Sequence, residues 1–302
     1  AQTAPLWRFG SERGAAFMSF WSSGNAFFQS ELFKRIASAL VLAPLAVAAV
    51  YTGGMAFTAF WFVVAILVSF EFLRMLNKWG QLLWGTWFIH LSVLMSFYNL
   101  LFADEVHIFV NCIGPALFLL WLYYDRSFGT PATWSILALL YSATAFLAPV
   151  FVMSHKDGGL VAIIFAFAIV WGTDVGAYFV GRQVGGPKLA PRISPGKTWS
   201  GFFGGLVIGT GLAFAWCYYA KTLWNLGWIE GLPRLVLAVL GSVIGQLGDL
   251  FESFIKRRLD VKNSGNLIPG HGGVMDRIDS VLFVFLYLAL LLSCGVMSGP
   301  FQ

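Results

Sequence analysis

Long apolar stretches separated by short polar segments dominate the pattern along the chain. Nine stretches are long enough to cross the ~30 Å hydrocarbon core of a bilayer as helices. Because their apolar residues are continuous and do not alternate with polar ones, helices are favoured over the strands of a membrane barrel. The pattern therefore predicts an all-α, polytopic membrane protein with nine transmembrane helices. These lie near residues 36–52, 55–73, 82–102, 106–124, 134–153, 160–181, 201–220, 235–252 and 280–298.

The basic residues are distributed unevenly between the two sides of this arrangement. If the N-terminus is inside, 16 of the 19 lysines and arginines fall on the inner side, and Lys156, Lys221 and Arg234 fall on the outer side. Cytoplasmic segments of membrane proteins carry an excess of this kind. We therefore expect a cytoplasmic N-terminus and a C-terminus on the opposite side.

Composition excludes a soluble cytosolic enzyme, because 58% hydrophobic and 11% charged residues leave too few polar groups to cover a soluble surface. The net charge is +5, and the basic residues lie between the apolar stretches. The orientation of the protein in the membrane and contact with anionic headgroups account for basic residues there, so no nucleic-acid partner is expected. Cys112, Cys217 and Cys294 form neither a disulfide framework nor a zinc pattern. Residues 1–33 fit a polar and aromatic interfacial segment, followed by one membrane domain over 34–302.

Two inner loops, residues 182–200 and 253–279, are long, basic and rich in glycine and proline. The distribution of charge across the membrane would by itself explain their basic residues. However, Asp174 and Asp249 lie inside predicted spans close to these loops. An ionisable group within a span is costly and indicates function, so we place the candidate site at the inner ends of these helices.

Carboxylates approach this site from two separate segments. Asp249, Ser253 and Lys256 are spaced so that a helix would bring them onto one face, and Asp276 and Asp279 share a face if the last helix begins in the loop. Carboxylates brought together repel each other unless a cation lies between them. Magnesium suits one or two carboxylates completed by substrate phosphate. The sequence therefore predicts a Mg²⁺ site and leaves a second cation open.

The segment between these carboxylates resembles a phosphate-binding loop. Gly270, Gly272 and Gly273 would let backbone amides approach an anion closely. Nearby cations would compensate the phosphate charge; they are Lys256, Arg257, Lys262 and Arg277. A plain turn and an i,i+4 ion pair between Glu252 and Lys256 are the structural alternatives. His271 lies in the same loop, and its context leaves open whether it is an acid, a base or a hydrogen-bond donor.

The other inner loop contains I-S-P-G-K-T-W at 193–199. Its Pro-Gly pair predicts a turn that places Lys197 and Thr198 at the start of the next helix, where free amides favour phosphate. Ser194 precedes this turn and is a further candidate for substrate binding. The helix that follows carries glycines spaced four apart, which predicts close helix packing in lipid. They are Gly201, Gly205 and Gly209.

Residues 253–279 read S-F-I-K-R-R-L-D-V-K-N-S-G-N-L-I-P-G-H-G-G-V-M-D-R-I-D, which closely resembles the signature of phosphatidate cytidylyltransferases, or CDP-diacylglycerol synthases. The likeness extends to W-G-T-D-V-G-A-Y-F-V-G-R at 171–182, I-S-P-G-K-T-W at 193–199 and Q-L-G-D-L-F-E-S at 246–253, whereas the first 150 residues match only as apolar spans. The resemblance implies a homodimeric, multi-pass enzyme of the cell inner membrane with its active site facing the cytoplasm. It would join CTP and phosphatidic acid, with magnesium, into CDP-diacylglycerol and pyrophosphate.

The resemblance also implies roles for individual residues. The metal-binding aspartates of the family correspond to Asp249 and Asp276. Catalytic positions correspond to Lys256, Arg257, Lys262, His271, Arg277 and Asp279. Substrate-binding positions correspond to Asp174, Ser194, Lys197, Thr198, Ser253, Gly272 and Gly273.

Two positions depart from the family pattern. Asn263 stands where the signature has aspartate, and Ser200 stands where members commonly carry Glu or Gln. The amide at 263 removes a charge, so a catalytically weak or silent paralogue is one alternative. A CTP-dependent lipid kinase, which would release CDP, is a second. A transporter is a third, because it would also carry intramembrane acids, although the polar groups here gather at one face.

Overall fold

A computed structural model describes residues 31–76, 132–155, 158–224 and 232–294. Seven helices and two short strands lie within these ranges. The helices are α1 (Glu31–Thr52), α2 (Gly54–Leu76), α3 (Ala132–Met153), α4 (Gly159–Val184), α5 (Trp199–Trp224), α6 (Leu232–Arg258) and α7 (Met275–Ser293). The strands are β1 (Lys188–Ala190) and β2 (Ser194–Thr198), which form a hairpin between α4 and α5.

Five helical segments in these ranges are long and apolar enough to cross a membrane. They are Gly54–Leu76, Ile136–Met153, Gly159–Val184, Trp199–Ala220 and Arg234–Arg258. The prediction of a helical, membrane-embedded protein is thereby confirmed. The predicted spans 82–102 and 106–124 and residues 1–30 lie outside the described ranges, so the count of nine helices and the orientation stay predictions. The last helix begins at Met275, five residues before the predicted span.

The hairpin is an addition to the predicted all-α architecture. Its antiparallel strands pair Lys188 with Thr198 and Ala190 with Ser194. The predicted turn at Pro195 and Gly196 is wrong, because both residues lie within β2 and the chain turns at 191–193. Pro195 is exposed, and an edge strand tolerates proline where its missing N–H would face solvent.

Close packing of α4 against α5 depends on glycine, as predicted. A Cβ atom on Gly176 would lie 2.7 Å from the Gly204 carbonyl oxygen, and one on Gly205 would lie 2.7 Å from the Thr173 carbonyl oxygen. Small residues allow helix backbones to approach this closely in lipid. Thr173 also reaches α6, where its Oγ1 lies 2.8 Å from Ser242 Oγ in a buried hydrogen bond. These contacts fix α4, α5 and α6 relative to one another.

Aromatic packing joins α2, α3 and α7. Trp61 of α2 meets Phe285 of α7 edge to face at 5.3 Å between ring centroids, and Phe62 meets Phe146 of α3 in the same way at 5.3 Å. In such an arrangement the positive edge of one ring meets the negative face of the other, which is favourable. This packing places the C-terminal end of α2 beside the start of α7, where the candidate site lies.

The two motif loops lie at the same end of the bundle. The guanidinium of Arg257, at the end of α6, donates from Nε to the Ile193 carbonyl in the hairpin turn, at 3.2 Å. From here on, residues 185–198 are called the hairpin loop and residues 259–274 the signature loop. Their shared end agrees with the prediction that both loops lie on one side of the membrane.

Candidate active site

An open cavity of about 620 Å³ lies between α4, the hairpin loop, α5 and α6. Five charged residues contribute to its lining: Asp174, Arg182, Lys188, Lys197 and Asp249. Two of them are acids from membrane helices and three are cations at the loop end. The cavity can therefore attract a polyanion and also supply carboxylate oxygens beside it.

An ion pair between Lys197 and Asp249 crosses this cavity. Lys197 Nζ lies 2.5 Å from Asp249 Oδ2, and the two side chains are 25% and 29% exposed. Ser253 Oγ lies 3.4 Å from Asp249 Oδ1, which confirms that residues spaced four apart share a face of α6. Asp174 interacts electrostatically with both members of the pair. Because this pair is open to solvent, a charged ligand can compete for either partner at modest cost.

The hairpin loop ends in a capped helix. Thr198 is buried, and its Oγ1 accepts a hydrogen bond from the Gly201 amide at 3.1 Å, which satisfies one of the free amides at the start of α5. The hydroxyl of Ser200 donates to the Gly185 carbonyl, next to the end of α4. Thr198 and Ser200 therefore hold the loop between the two helices, and Lys197 is left to project into the cavity lining.

A half-buried lysine links α6 to α7. Lys256 Nζ lies 2.5 Å from Glu252 Oε2 and 2.8 Å from Asp276 Oδ1. The predicted i,i+4 pair is thus present, and the same ammonium reaches a second helix. Glu252 is fully buried, and its Oε1 has no hydrogen-bond partner in the described part of the chain. Because lone buried charges are strongly destabilising, the three groups depend on one another.

Asp276 is held by the signature loop as well as by Lys256. The Ser264 amide donates to both of its oxygens at 3.2 Å, and the Gly273 amide donates to Oδ2 at 3.0 Å. Asp276 precedes the predicted membrane span, which begins at residue 280. Burial alone would raise the pKa of its carboxyl, but bonds to Lys256 and Gly273 bring the pKa below its ordinary value of 3.8. Asp276 is therefore a carboxylate at neutral pH.

Glu71 is a site residue that the sequence analysis missed, as it missed the cavity cations Arg182 and Lys188. Its side chain in α2 is 1% exposed and accepts hydrogen bonds from Ser264 Oγ at 2.9 Å, Val274 N at 3.0 Å and Met275 N at 2.9 Å. A usable signal existed, because Glu71 is an acid inside a predicted span, the same feature that singled out Asp174. Its partners, which lie 193 to 204 residues away along the chain, could not be read from the sequence.

Two glycines of the signature loop donate their amides to groups of the chain itself. The Gly272 amide donates to the Ile268 carbonyl at 3.1 Å, and the Gly273 amide donates to Asp276. Gly272 has φ +88°, a conformation that suits glycine. These two amides are thus directed to groups of the chain itself, and their contact with a substrate phosphate stays a prediction.

The remaining predicted residues are spread around the loops. His271 Nδ1 lies 2.7 Å from Ser38 Oγ of α1, and Arg277 donates from Nη2 to the His271 carbonyl at 2.6 Å. Lys262 is exposed. Asp279 accepts a hydrogen bond from the Ser280 amide at 2.8 Å and interacts electrostatically with Asp249 and Asp174. His271 and Arg277 therefore lie toward α1, and Asp279 lies toward the cavity acids.

Within the described ranges, no three His, Cys, Asp or Glu side chains converge as a ready metal cage. Asp249 and Asp276 each pair with a lysine. Magnesium does not require a full protein cage, because it commonly keeps waters and takes one or two carboxylates plus substrate phosphate. The unpaired, buried Glu252 Oε1 is a further oxygen close to this set. The residues present therefore fit a magnesium ion whose coordination is completed by phosphate.

Comparisons with known proteins agree on one family. Residues 33–294 match the profile of the Cytidylyltransferase family. A phosphatidate cytidylyltransferase of Brucella abortus (strain 9-941) is 34% identical over 282 residues, covering 90% of this chain and 98% of the relative. The enzyme of the same name from Bacillus subtilis (strain 168) is 36% identical, covering 87% and 98%. A third, from Staphylococcus aureus (strain COL), is 42% identical over 161 residues, covering 53% and 59%.

Proposed function

The chain belongs to the cytidylyltransferase family, and on that premise we propose that it is a phosphatidate cytidylyltransferase. It transfers the cytidylyl group of CTP to phosphatidic acid and releases pyrophosphate. The observation that carries this proposal is the extent of the likeness, since 98% of the Brucella and Bacillus enzymes aligns with this chain. The charged cavity at one end of the bundle supports the proposal.

In this reaction, a phosphate oxygen of phosphatidic acid attacks the α-phosphorus of CTP. The bond from the α-phosphorus to the bridging oxygen breaks, and the electron pair leaves with pyrophosphate. A phosphate monoester is already anionic near neutral pH, so a strong general base is not needed. The main barrier is the repulsion between two polyanions. Catalysis therefore depends on positioning and on electrostatic stabilisation.

The cavity residues suit this task. Lys197, Arg182 and Lys188 line one cavity, where their charges offset those of a triphosphate. Arg182 is oriented by Tyr178, whose hydroxyl oxygen lies 2.7 Å from Nη1. Because Lys197 is paired with a partly exposed carboxylate, it can exchange that partner for phosphate. The cations would thus bind CTP and stabilise the charge that develops on pyrophosphate.

Asp249 and Asp276 are the proposed magnesium ligands. Bound there, the ion would neutralise phosphate charge and polarise the phosphorus under attack. Asp249 is directed by Ser253 and Lys197, and Asp276 is held as a carboxylate by Lys256 and the loop amides. Both acids are thereby oriented before substrate binds. A second cation remains compatible with the additional acids Asp174 and Asp279.

The proposed location is the cell inner membrane, with the site facing the cytoplasm. CTP is soluble and cytoplasmic, whereas the acyl chains of phosphatidic acid stay in the bilayer, so the reaction needs a site at the membrane surface. The excess of basic residues in the inner segments supports this orientation. A homodimer is proposed on the family resemblance.

The test is a product assay with the purified full chain in lipid nanodiscs. With α-labelled CTP, phosphatidic acid and Mg²⁺, we expect CDP-diacylglycerol and pyrophosphate in equal amounts, and neither product when phosphatidic acid is omitted. Release of CDP with transfer of the γ-phosphate would instead identify a lipid kinase. Absence of any CTP turnover in well-folded protein would contradict the proposed activity.

A further inference from the structure

Glu71 is a buried acid in the middle of an apolar surrounding. It is 1% exposed and lies in α2, a helix whose other buried residues are almost all apolar. Burying a carboxylate without compensation costs several kcal/mol, on the order of what a whole domain gains in net stability. A residue of this kind is retained only where its interactions offset the cost.

The compensation comes from the signature loop. Val274 and Met275 donate their amides to the two carboxylate oxygens of Glu71, and Ser264 adds its hydroxyl. These amides belong to the start of α7, where helix N–H groups lack internal partners and the helix dipole favours negative charge. Glu71 therefore caps a helix that is distant from it in the sequence.

The same few residues also hold Asp276. The Gly273, Val274 and Met275 amides follow one another along the chain, and the first donates to Asp276 while the next two donate to Glu71. Ser264 likewise joins both acids, donating its amide to Asp276 and its hydroxyl to Glu71. A displacement of the Glu71 carboxylate would therefore move the groups that orient Asp276.

Glycine makes this arrangement possible. A Cβ atom on Gly265 would lie 2.6 Å from Glu71 Oε1, and one on Gly273 would lie 2.6 Å from Glu71 Oε2. Real Cβ atoms do not approach oxygen this closely, so any larger residue would push the carboxylate and the loop apart. These two glycines of the signature loop serve to admit Glu71.

From this geometry we propose that Glu71 is a positioning residue of the transfer reaction. It locks the signature loop onto α2 and thereby fixes Asp276 in its productive orientation. The proposal rests on the proposed function, in which Asp276 takes part in handling the metal and phosphate. Glu71 is linked to the site through Ser264 and the amides of Val274 and Met275, so it acts through these groups and does not contact substrate.

The test is Glu71→Gln, compared with Asp260→Asn. Glutamine keeps the shape but offers one acceptor oxygen where the carboxylate offers two, and its NH₂ group would face a backbone N–H donor. Asp260 provides the matched control, because it is exposed in the same loop and has φ +53°, which asparagine tolerates. Both changes replace a carboxylate by an amide, but only Glu71→Gln alters the hydrogen bonds between α2 and the signature loop.

Four quantities are measured for each protein in nanodiscs: kcat, the KM for CTP, the Mg²⁺ concentration giving half-maximal rate, and deuterium uptake of residues 263–275. For Glu71→Gln we expect kcat to fall about tenfold to hundredfold, since misplacement of reacting groups by about 1 Å costs this much. We also expect a higher half-maximal Mg²⁺ concentration and faster uptake in the loop. Glu71→Asp should recover part of kcat, and Asp260→Asn should match the parent chain.

A purely structural role for Glu71 predicts a different result. The thermal midpoint and the folded fraction of Glu71→Gln would fall, while kcat per folded enzyme and the Mg²⁺ dependence stayed at parental values; that outcome overturns the proposal. If Glu71→Gln does not fold, Ser264→Ala carries the test, because it removes one hydroxyl from the same link. Deuterium uptake of the loop is measured without substrate. It therefore tests whether Glu71 holds the signature loop against α2 even if the parent chain transfers no cytidylyl group.

Discussion

The hairpin loop and the signature loop are both rich in glycine but have opposite surroundings. The hairpin loop carries three cations and no acid, whereas Lys262 and Asp260 of the signature loop offset each other. Both loops lie at the same end of the bundle. The hairpin loop borders an open cavity, where Lys197 and Asp249 remain about a quarter exposed. The signature loop is closed by the buried Glu71 and the half-buried Asp276, which accept hydrogen bonds from the amides of residues 273–275.

The difference shows that two glycine-rich loops can differ in how far their polar groups are available to a ligand. A backbone amide that already donates to a buried carboxylate is not available to a ligand without a cost of about 1–3 kcal/mol for the acceptor left unsatisfied. A solvent-exposed ion pair of a lysine contributes little free energy, so the lysine can leave it at low cost. We therefore expect the cavity cations to bind the nucleotide and the signature loop to act as the support that orients Asp276 and Lys256.

The largest effect is expected for Asp249→Asn. This change removes one of the two proposed magnesium ligands and the charged partner of Lys197. It keeps the helix and the shape of the side chain. Because electrostatic groups at a reacting phosphate are worth about 10²–10³ in kcat, we expect pyrophosphate release to fall by that factor. The measurement is CTP-dependent pyrophosphate release at saturating Mg²⁺ and phosphatidic acid.

The control for this variant is again Asp260→Asn, an exposed acid that lies outside the cavity lining. Its kcat should equal that of the parent chain. Full activity of Asp249→Asn would remove Asp249 from the metal site and would leave the cavity without its proposed catalytic role.

A smaller effect is expected for Lys197→Gln. Hydrogen bonds to charged groups contribute about 1.5–3 kcal/mol, so the loss of this ammonium should lower kcat/KM for CTP about tenfold to hundredfold. The reason is weaker triphosphate binding, so the KM for CTP should rise more than the KM for phosphatidic acid. Steady-state kinetics with each substrate varied in turn provide the measurement.

Arg258→Gln is the matched control for the loss of a cation. Arg258 is exposed at the end of α6, and its guanidinium lies 5.2 Å from the centre of the Phe254 ring. We expect its KM for CTP to stay within about twofold of the parent value, as for most surface substitutions. Equal losses in both variants would mean that general positive charge, and not the placement of Lys197, governs nucleotide binding.

The sequence predicted the parts of the site that depend on local spacing. Helical periodicity placed Asp249 and Ser253 on one face and Glu252 next to Lys256, and the structure contains both contacts. Glycine spacing likewise predicted the close packing of α5. Spacing within one helix fixes which side chains meet, so these predictions required no knowledge of tertiary structure.

Contacts between distant segments could not be predicted in this way. Glu71 meets Ser264 and Met275 because α2 packs beside the start of α7, and no local pattern in α2 specifies that neighbour. The hairpin was also missed, since Pro195 and Gly196 inside β2 resemble a turn and weaken the strand signal. Both errors concern the loops, where tertiary contacts decide the conformation.

The smallest effect is expected for Asn263→Asp, which restores the residue of the family signature. The acids that organise the signature loop are Glu71 and Asp276, and Asn263 is exposed beside the exposed Lys262. A surface change of this kind alters free energies by about 0.5 kcal/mol or less, so kcat/KM for CTP should stay within about threefold. The measurement compares Asn263→Asp and the parent chain at equal protein and Mg²⁺ concentrations. A gain of tenfold or more would show that the parent is a weakened enzyme, and that an exposed acid in this loop contributes to the reaction in addition to Asp276.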